Sequence, residues 1–245
     1  MSAHVRAELL KLRSTRTNLG LFAAMLGLVG FVIALHGFGL PTEALGSRPK
    51  QLGVFGRGEL LGTLFAALLG ALSITSEFRH GTIRPTFLVT PRRGRVVAAK
   101  VMASMLIGST FGLLAAALAL GVGSVAFATR GLEIRLDGGD YALLLAGSAA
   151  AAALWAGIGV GLGALVRSQV PTVVGIATWL LFVEGLLIGD LGFGDVGRFT
   201  PGALGKAATG QDPLLAPGLA VLLLALYAVA STAAGWVSTE RRDVA

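Results

Sequence analysis

Long apolar runs, separated by short polar stretches, set the pattern of this chain. Six such runs can be drawn, over 19–38, 58–78, 98–128, 141–166, 171–190 and 214–237. Each is long enough, as a helix, to cross the hydrocarbon layer of a bilayer. The third exceeds that need and is expected to tilt or protrude. The first run follows a basic segment and has no clear small-residue cleavage site, so it reads as a retained helix rather than a signal peptide. Two polar stretches carry helix signals of their own. In "AHVRAELLKLRSTRT", Val5, Leu9 and Leu12 share one face while Arg6, Arg13 and Arg16 lie elsewhere. That pattern fits an amphipathic helix lying at the membrane surface over residues 1–18. A basic stop that only fixes orientation fits equally well. In the loop 192–212, Thr200 can cap a helix, Pro201 suits its first position and Gly210 can end it. A short helix over 201–209 is expected there.

Composition agrees with this pattern. The 245 residues are 54% hydrophobic and 13% charged, with mean hydropathy +0.79. Soluble domains carry roughly a quarter charged residues. The chain therefore reads as one all-α, polytopic membrane domain, 1–245, with six spans. Cysteine is absent, which removes disulfides, thiolate metal sites and a cysteine nucleophile. The +7 net charge calls for a reading as orientation charge rather than nucleic-acid binding. Thirteen of the twenty Lys/Arg residues fall in the N-terminal segment, after span two, at Arg167 and at the C-terminus; nine of the thirteen acids fall on the opposite set. Basic loops stay in the cytoplasm. Both termini and residues 79–97 are expected there, in the plasma membrane of a bacterium. The predominance of arginine over lysine suits a GC-rich bacterial genome.

The densest charge lies in "SEFRHGTIRPTFLVTPRRGRVVAAK", residues 76–100. Arg79 and His80 suit the carbonyl end of span two, and Gly81 the position just past it. Thr82 can cap a new helix with Pro85 in its first turn. That helix must stop near Thr90, since Pro91 disfavours helix at the residue before it. A further helix then runs from Arg92 through Lys100 into span three. Ile83, Phe87 and Leu88 give the short helix an apolar side. A basic inside loop with two turn-forming prolines is the plainer reading; it explains the charge but not the second helix start.

The pattern E-x-x-x-G-T … P-R-R … K, at Glu77, Gly81, Thr82, Pro91, Arg92, Arg93 and Lys100, resembles the coupling loop of permease subunits of ABC transporters of the six-span exporter type. The layout is similar as well: a basic amphipathic N-terminal helix, six spans, and a short outer helix before the last. The resemblance implies that residues 77–93 dock on a separate ATP-binding subunit, through Glu77, Gly81, Thr82, Ile83, Phe87, Leu88, Pro91, Arg92 and Arg93. It implies pairing with a second permease subunit, identical or not. ATP and Mg would be bound by the partner, and this chain would hold no cofactor and be no enzyme. Pro85 lies inside the region of the coupling helix and shortens it. A non-transporting six-span protein, serving in regulation, immunity or assembly, is the alternative.

Other constellations are weaker. His4, His36 and His80 lie in separate segments, without acids at metal-ligand spacing. Ser148 lies in a span with no histidine to serve it as base. "GALGKA" (202–207) lacks the spacing of a phosphate-binding loop. Gly157, Gly159, Gly161 and Gly163 form small-xxx-small pairs in span four, which fit packing within the subunit better than a dimer seam. Glu184 lies in span five, roughly 20 Å from its cytoplasmic start. An ionisable residue there is a candidate for the substrate path; contact with the outer interface or with Arg198 is the structural alternative.

Overall fold

A computed structural model describes residues 2–82, 93–187 and 194–241, and the described residues are helical throughout, with short turns between. The helices are α1 (Ser2–Ser14), α2 (Arg16–Gly39), α3 (Arg48–Phe55), α4 (Arg57–Arg79), α5 (Arg93–Thr129), α6 (Gly138–Val166), α7 (Gln169–Thr178), α8 (Gly194–Gly197), α9 (Pro201–Ala208) and α10 (Pro217–Arg241). A 3₁₀ turn, Thr42–Leu45, precedes α3, and a π-helical turn, Trp179–Val183, continues α7.

Among the described residues, five helical stretches are long and apolar enough to cross a membrane: Arg16–Gly39, Arg48–Arg79, Gly94–Thr129, Gly138–Val166 and Pro217–Glu240. They match five of the six expected runs, the last beginning at Pro217 and not at 214. The remaining run, 171–190, falls on α7 and the π turn, a shorter apolar helix over Gln169–Val183. Helical structure continues to residue 187, so 169–187 rises about 28 Å at the α-helical pitch. The third run is as long as expected, since α5 has 37 residues.

The bundle is built around α4 and α6. The apolar window of α4 is 78% buried, against 17% for α2 and 22% for α10, which flank the bundle with their apolar faces outward. Lipid tails are as apolar as leucine, so association of such helices depends on close packing. Small residues supply it. At Gly70 a Cβ would collide with the Ala156 carbonyl, and at Gly159 with that of Ala67, so α4 and α6 pack backbone against backbone. A Cβ at Gly112 would meet the Ser148 carbonyl in the same way. Gly157, by contrast, has only side chains nearby, Met105 at 3.6 Å and Val101 at 3.8 Å, both ordinary contacts. The glycine pairs of span four thus pack within the subunit.

The loops opposite the N-terminal helix are tied by polar side chains. Gln51, 1% exposed, donates to the carbonyls of Leu45 (3.0 Å) and Glu133 (2.9 Å) and accepts from the Arg135 amide (2.8 Å). Arg48 pairs with both carboxylate oxygens of Asp140, at 2.8 and 2.6 Å. Asp137 and Asp140 form a reciprocal capping box at the start of α6. The helix expected over 201–209 is α9, with Pro201 in its first turn and Gly210 following at φ +76°.

Candidate functional site

The N-terminal helix is held to the bundle by charge. Leu12 is buried, and Val5 and Leu9 pack partly against α2, α4 and α5, so the expected apolar face of α1 turns inward. Glu8 lies on that face, between Val5 and Leu12. The turn to α2 at Thr15 is stabilised by side chains that satisfy the last carbonyls of α1: Thr15 Oγ1 donates to Lys11 O (2.6 Å) and Asn18 Nδ2 to Leu12 O (2.9 Å).

Beneath this helix four side chains alternate in sign. Lys100, in the early turns of α5, is 1% exposed. Its Nζ donates to Glu8 Oε2 (2.7 Å), to Glu77 Oε1 (2.7 Å) and to the Ser73 carbonyl (3.3 Å). Lys11 Nζ donates to Glu8 Oε1 (2.9 Å) and Glu77 Oε1 (3.1 Å). Lys100 thereby uses all three of its donors. Three elements that begin 2, 57 and 93 residues into the chain meet here, and the two lysines balance the two glutamates.

The electrostatics follow from this geometry. Burial pushes the Glu8 carboxyl up, but the Lys100 charge and hydrogen bond, with those of Lys11, outweigh it and hold Glu8 below its ordinary 4.5. Burial likewise pulls Lys11 down, but its hydrogen bond to Glu8 and the Glu77 charge raise it above 10.5. The arrangement is stable only while complete. Removing one member of a buried ion pair costs about 3–5 kcal/mol, because the partner is left charged and dry. Glu77 is already incompletely served: its Oε2 is buried and has no hydrogen-bond partner among the described residues. An unmet buried acceptor costs about 1–3 kcal/mol.

The residues of the predicted loop divide. Glu77 is 9% exposed and turned into the bundle. Gly81 has φ +69°, the left-handed turn expected just past the end of α4, with its amide donating to Phe78 O at 3.3 Å. Thr82 is exposed. Arg93 begins α5. Ile83, Phe87, Leu88, Pro91 and Arg92 lie outside the described residues. Beside the loop, the Arg167 guanidinium stacks over the Phe78 ring at 5.5 Å and donates to Ser238 O at 2.6 Å, which ties the ends of α4, α6 and α10 together.

Glu184 lies at the far end of the bundle and supports α9. Its Oε1 accepts from the Gly202 amide (2.7 Å), one of the orphan donors in the first turn of α9, and from Trp179 Nε1 (2.6 Å). The π turn makes the second contact. In a regular α-helix, residues five apart differ by about 140° in direction; the wider turn over 179–183 brings Trp179 and Glu184 to the same side. Glu59, 2% exposed, supports the same helix one turn on, with its carboxylate against Gly205 and Thr63 Oγ1 donating to Oε1 at 2.9 Å. Trp155 Nε1 donates to Pro201 O at 3.3 Å.

Sequence reasoning reached Glu77 and Glu184 but missed Glu8, Lys11 and Glu59. Glu8 had a signal: it is the single acid in the first 42 residues, and it lies on the apolar face of a basic helix. Lys100 had one also, with Val96, Val97, Val101 and Ala103 around it. Among the described residues, no group of three or more His, Asp or Glu side chains is placed to hold a metal. No family model matches the chain, and no curated protein matches it.

Proposed function

We propose that this chain is the permease subunit of an ATP-driven exporter of the ABC type, and that residues 77–93 dock on a separate ATP-binding subunit. The observation that best supports this reading is the buried Glu77–Lys100 contact at 2.7 Å. It closes the base of the loop, joining the end of α4 to the beginning of α5, and Glu8 adds α1 to the same junction. A push on the loop from the cytoplasm would reach three membrane elements at once. Glu77 then acts from inside, as a positioning residue that keeps the two limbs together, and the docking contacts belong to the loop beyond it.

In this reading the helix over 169–187 is the sixth crossing, both termini are cytoplasmic, and two permease subunits assemble with two ATPases in a bacterial plasma membrane. Rocking of the spans about the closed loop base provides alternating access. Glu184 braces α9 at the outer end.

The test is co-purification with a P-loop ATPase encoded beside this chain. Phe87→Ala removes apolar contact area, worth about 1–3 kcal/mol if the ring is a central anchor. Gly81→Val forbids the positive φ of the turn. Both variants are expected to insert normally, lose the ATPase and lose transport. Equal ATPase recovery and equal transport in wild type and both variants would overturn the proposal.

A further inference from the structure

The outward side of α1 carries charge that the protein does not answer. With Val5, Glu8, Leu9 and Leu12 turned to the bundle, Leu10 points away from it, 68% exposed. Arg6 and Arg13, four residues before Leu10 and three after it, flank it on the helix surface, and both are exposed. Arg16, also exposed, follows across the Thr15 turn. Among the described residues, none of these three arginines has an ion pair or a side-chain hydrogen bond. Glu8, the single acid in the first 42 residues, is turned inward, and its two oxygens are taken by Lys11 and Lys100.

Thr15 alone separates α1 from α2, and the apolar run of α2 begins at Leu19. In a membrane protein that level is the headgroup layer, where basic side chains meet lipid phosphate. An interfacial helix ordinarily anchors itself by laying its apolar face into the acyl boundary. Here that face is used against the bundle, so what remains for the lipid is Leu10 and the arginines. An arginine at this depth lays its apolar stem along the hydrocarbon and carries its guanidinium out to the headgroups. Leu19, 59% exposed, and the open side of α2 continue the same surface into the bilayer, which favours lipid over a soluble partner. We propose that the outward side of α1, with Arg16, is a contact site for phospholipid headgroups of net negative charge, such as phosphatidylglycerol. A zwitterionic headgroup also has a phosphate, but its ammonium cancels the charge that the arginines lack. The inference rests on the membrane-embedded helices and not on pairing with an ATPase.

Two measurements on the full chain, with no ATPase present, test it. The first is native mass spectrometry of protein released from nanodiscs of equal parts phosphatidylglycerol and phosphatidylcholine. Wild type is expected to retain phosphatidylglycerol in preference. Arg6→Gln/Arg13→Gln leaves the ion quartet intact and keeps Lys11 and Arg16 to fix orientation. It is expected to lower the preference about fivefold or more, the factor that about 1 kcal/mol for one basic side chain near the surface supplies. The second uses the absence of native cysteine, which allows a single nitroxide label at Leu10→Cys. In nanodiscs of the same composition the label is expected to respond to oxygen, which concentrates in lipid, more than to a water-soluble nickel chelate. Equal retention of the two lipids by wild type, or an unchanged preference in the double variant, would overturn the proposal. A label that responds chiefly to the nickel chelate would overturn it as well, since this side of α1 would then face the cytoplasm and a soluble partner. So would displacement of phosphatidylglycerol by an equal amount of glycerophosphoglycerol, without acyl chains, which would make the site one for a soluble phosphodiester.

Discussion

Lys100→Met is the most informative single perturbation. Methionine keeps a four-atom apolar stem like that of lysine, so the buried packing of the stem is largely kept, and what is lost is the ammonium. Three hydrogen bonds go with it, to Glu8, Glu77 and Ser73. Two glutamates, 7% and 9% exposed, are left with Lys11 alone. The cost of breaking a buried pair from one side is about 3–5 kcal/mol. On the scale of soluble domains of this length, where about 1 kcal/mol moves the midpoint by roughly 2–4 °C, a fall on the order of 10 °C is expected. The assay is thermal unfolding in detergent, followed by the fraction that remains monodisperse. Replacing the whole set of charges separates pairing from packing. Glu8→Gln/Glu77→Gln/Lys100→Met buries no charge and should recover most of the loss, since exchanging a complete buried network for neutral groups is often close to neutral. A Lys100→Met variant within about 0.5 kcal/mol of wild type, the range of ordinary surface substitutions, would refute the ion-pair account. A triple variant as unstable as the single would show that shape, and not charge, holds α1 in place.

Three other outcomes follow from the same structure. Because Glu8 is held below 4.5 when folded, its contribution is present above that pH and lost as the pH falls through the depressed value; unfolding temperature should drop below about pH 4.5, and Glu8→Gln should flatten that drop. Lys11, raised above 10.5, acts in the opposite sense, and its contribution disappears as the pH rises past that value. Glu184→Leu leaves the Gly202 amide and the Trp179 indole without their acceptor, about 1–3 kcal/mol for each if both stay dry, and should make α9 easier to cleave by protease, whereas Glu184→Gln retains an acceptor oxygen and should lose less. Gly159→Leu should prevent recovery of monodisperse protein, because its side chain meets the Ala67 carbonyl, while Gly157→Ala should be tolerated within about 0.5 kcal/mol; equal tolerance of both would contradict the described seam.

Features set by local rules could be read from the chain before the fold was seen. Five of the six apolar runs, the Pro201 start of α9, and the turns at Gly81 and Gly210 each depend on residues within one or two helical turns, and the structure has them where expected. The candidate site was less legible, because its partners are remote in sequence. Glu8 and Lys100 are 92 positions apart, and only the fold brings them to 2.7 Å. Glu59 lay at the edge of an apolar run, where an acid reads as an interface charge, yet it is enclosed by α9 from a later part of the chain. The role of Glu184 depended on the π turn at 179–183, a change of register with no evident mark in the residues themselves. Likewise, four glycines spaced alike in span four gave no sign that Gly159 meets a backbone carbonyl and Gly157 only side chains at ordinary contact distance.

The backbone contact between α4 and α6 reverses the usual rules of mutational damage. In a leucine-rich core, harm comes from truncation, which leaves a cavity. At Gly70 and Gly159 nothing can be taken away, and every substitution adds atoms where a carbonyl already lies. The two helices are in effect one double-width plate, intolerant of growth at the glycines of its seam. Any change of shape in this protein must then occur at the margins of the plate. There α2 and α10 present larger, more exposed side chains, and lipid or a neighbouring subunit can give way.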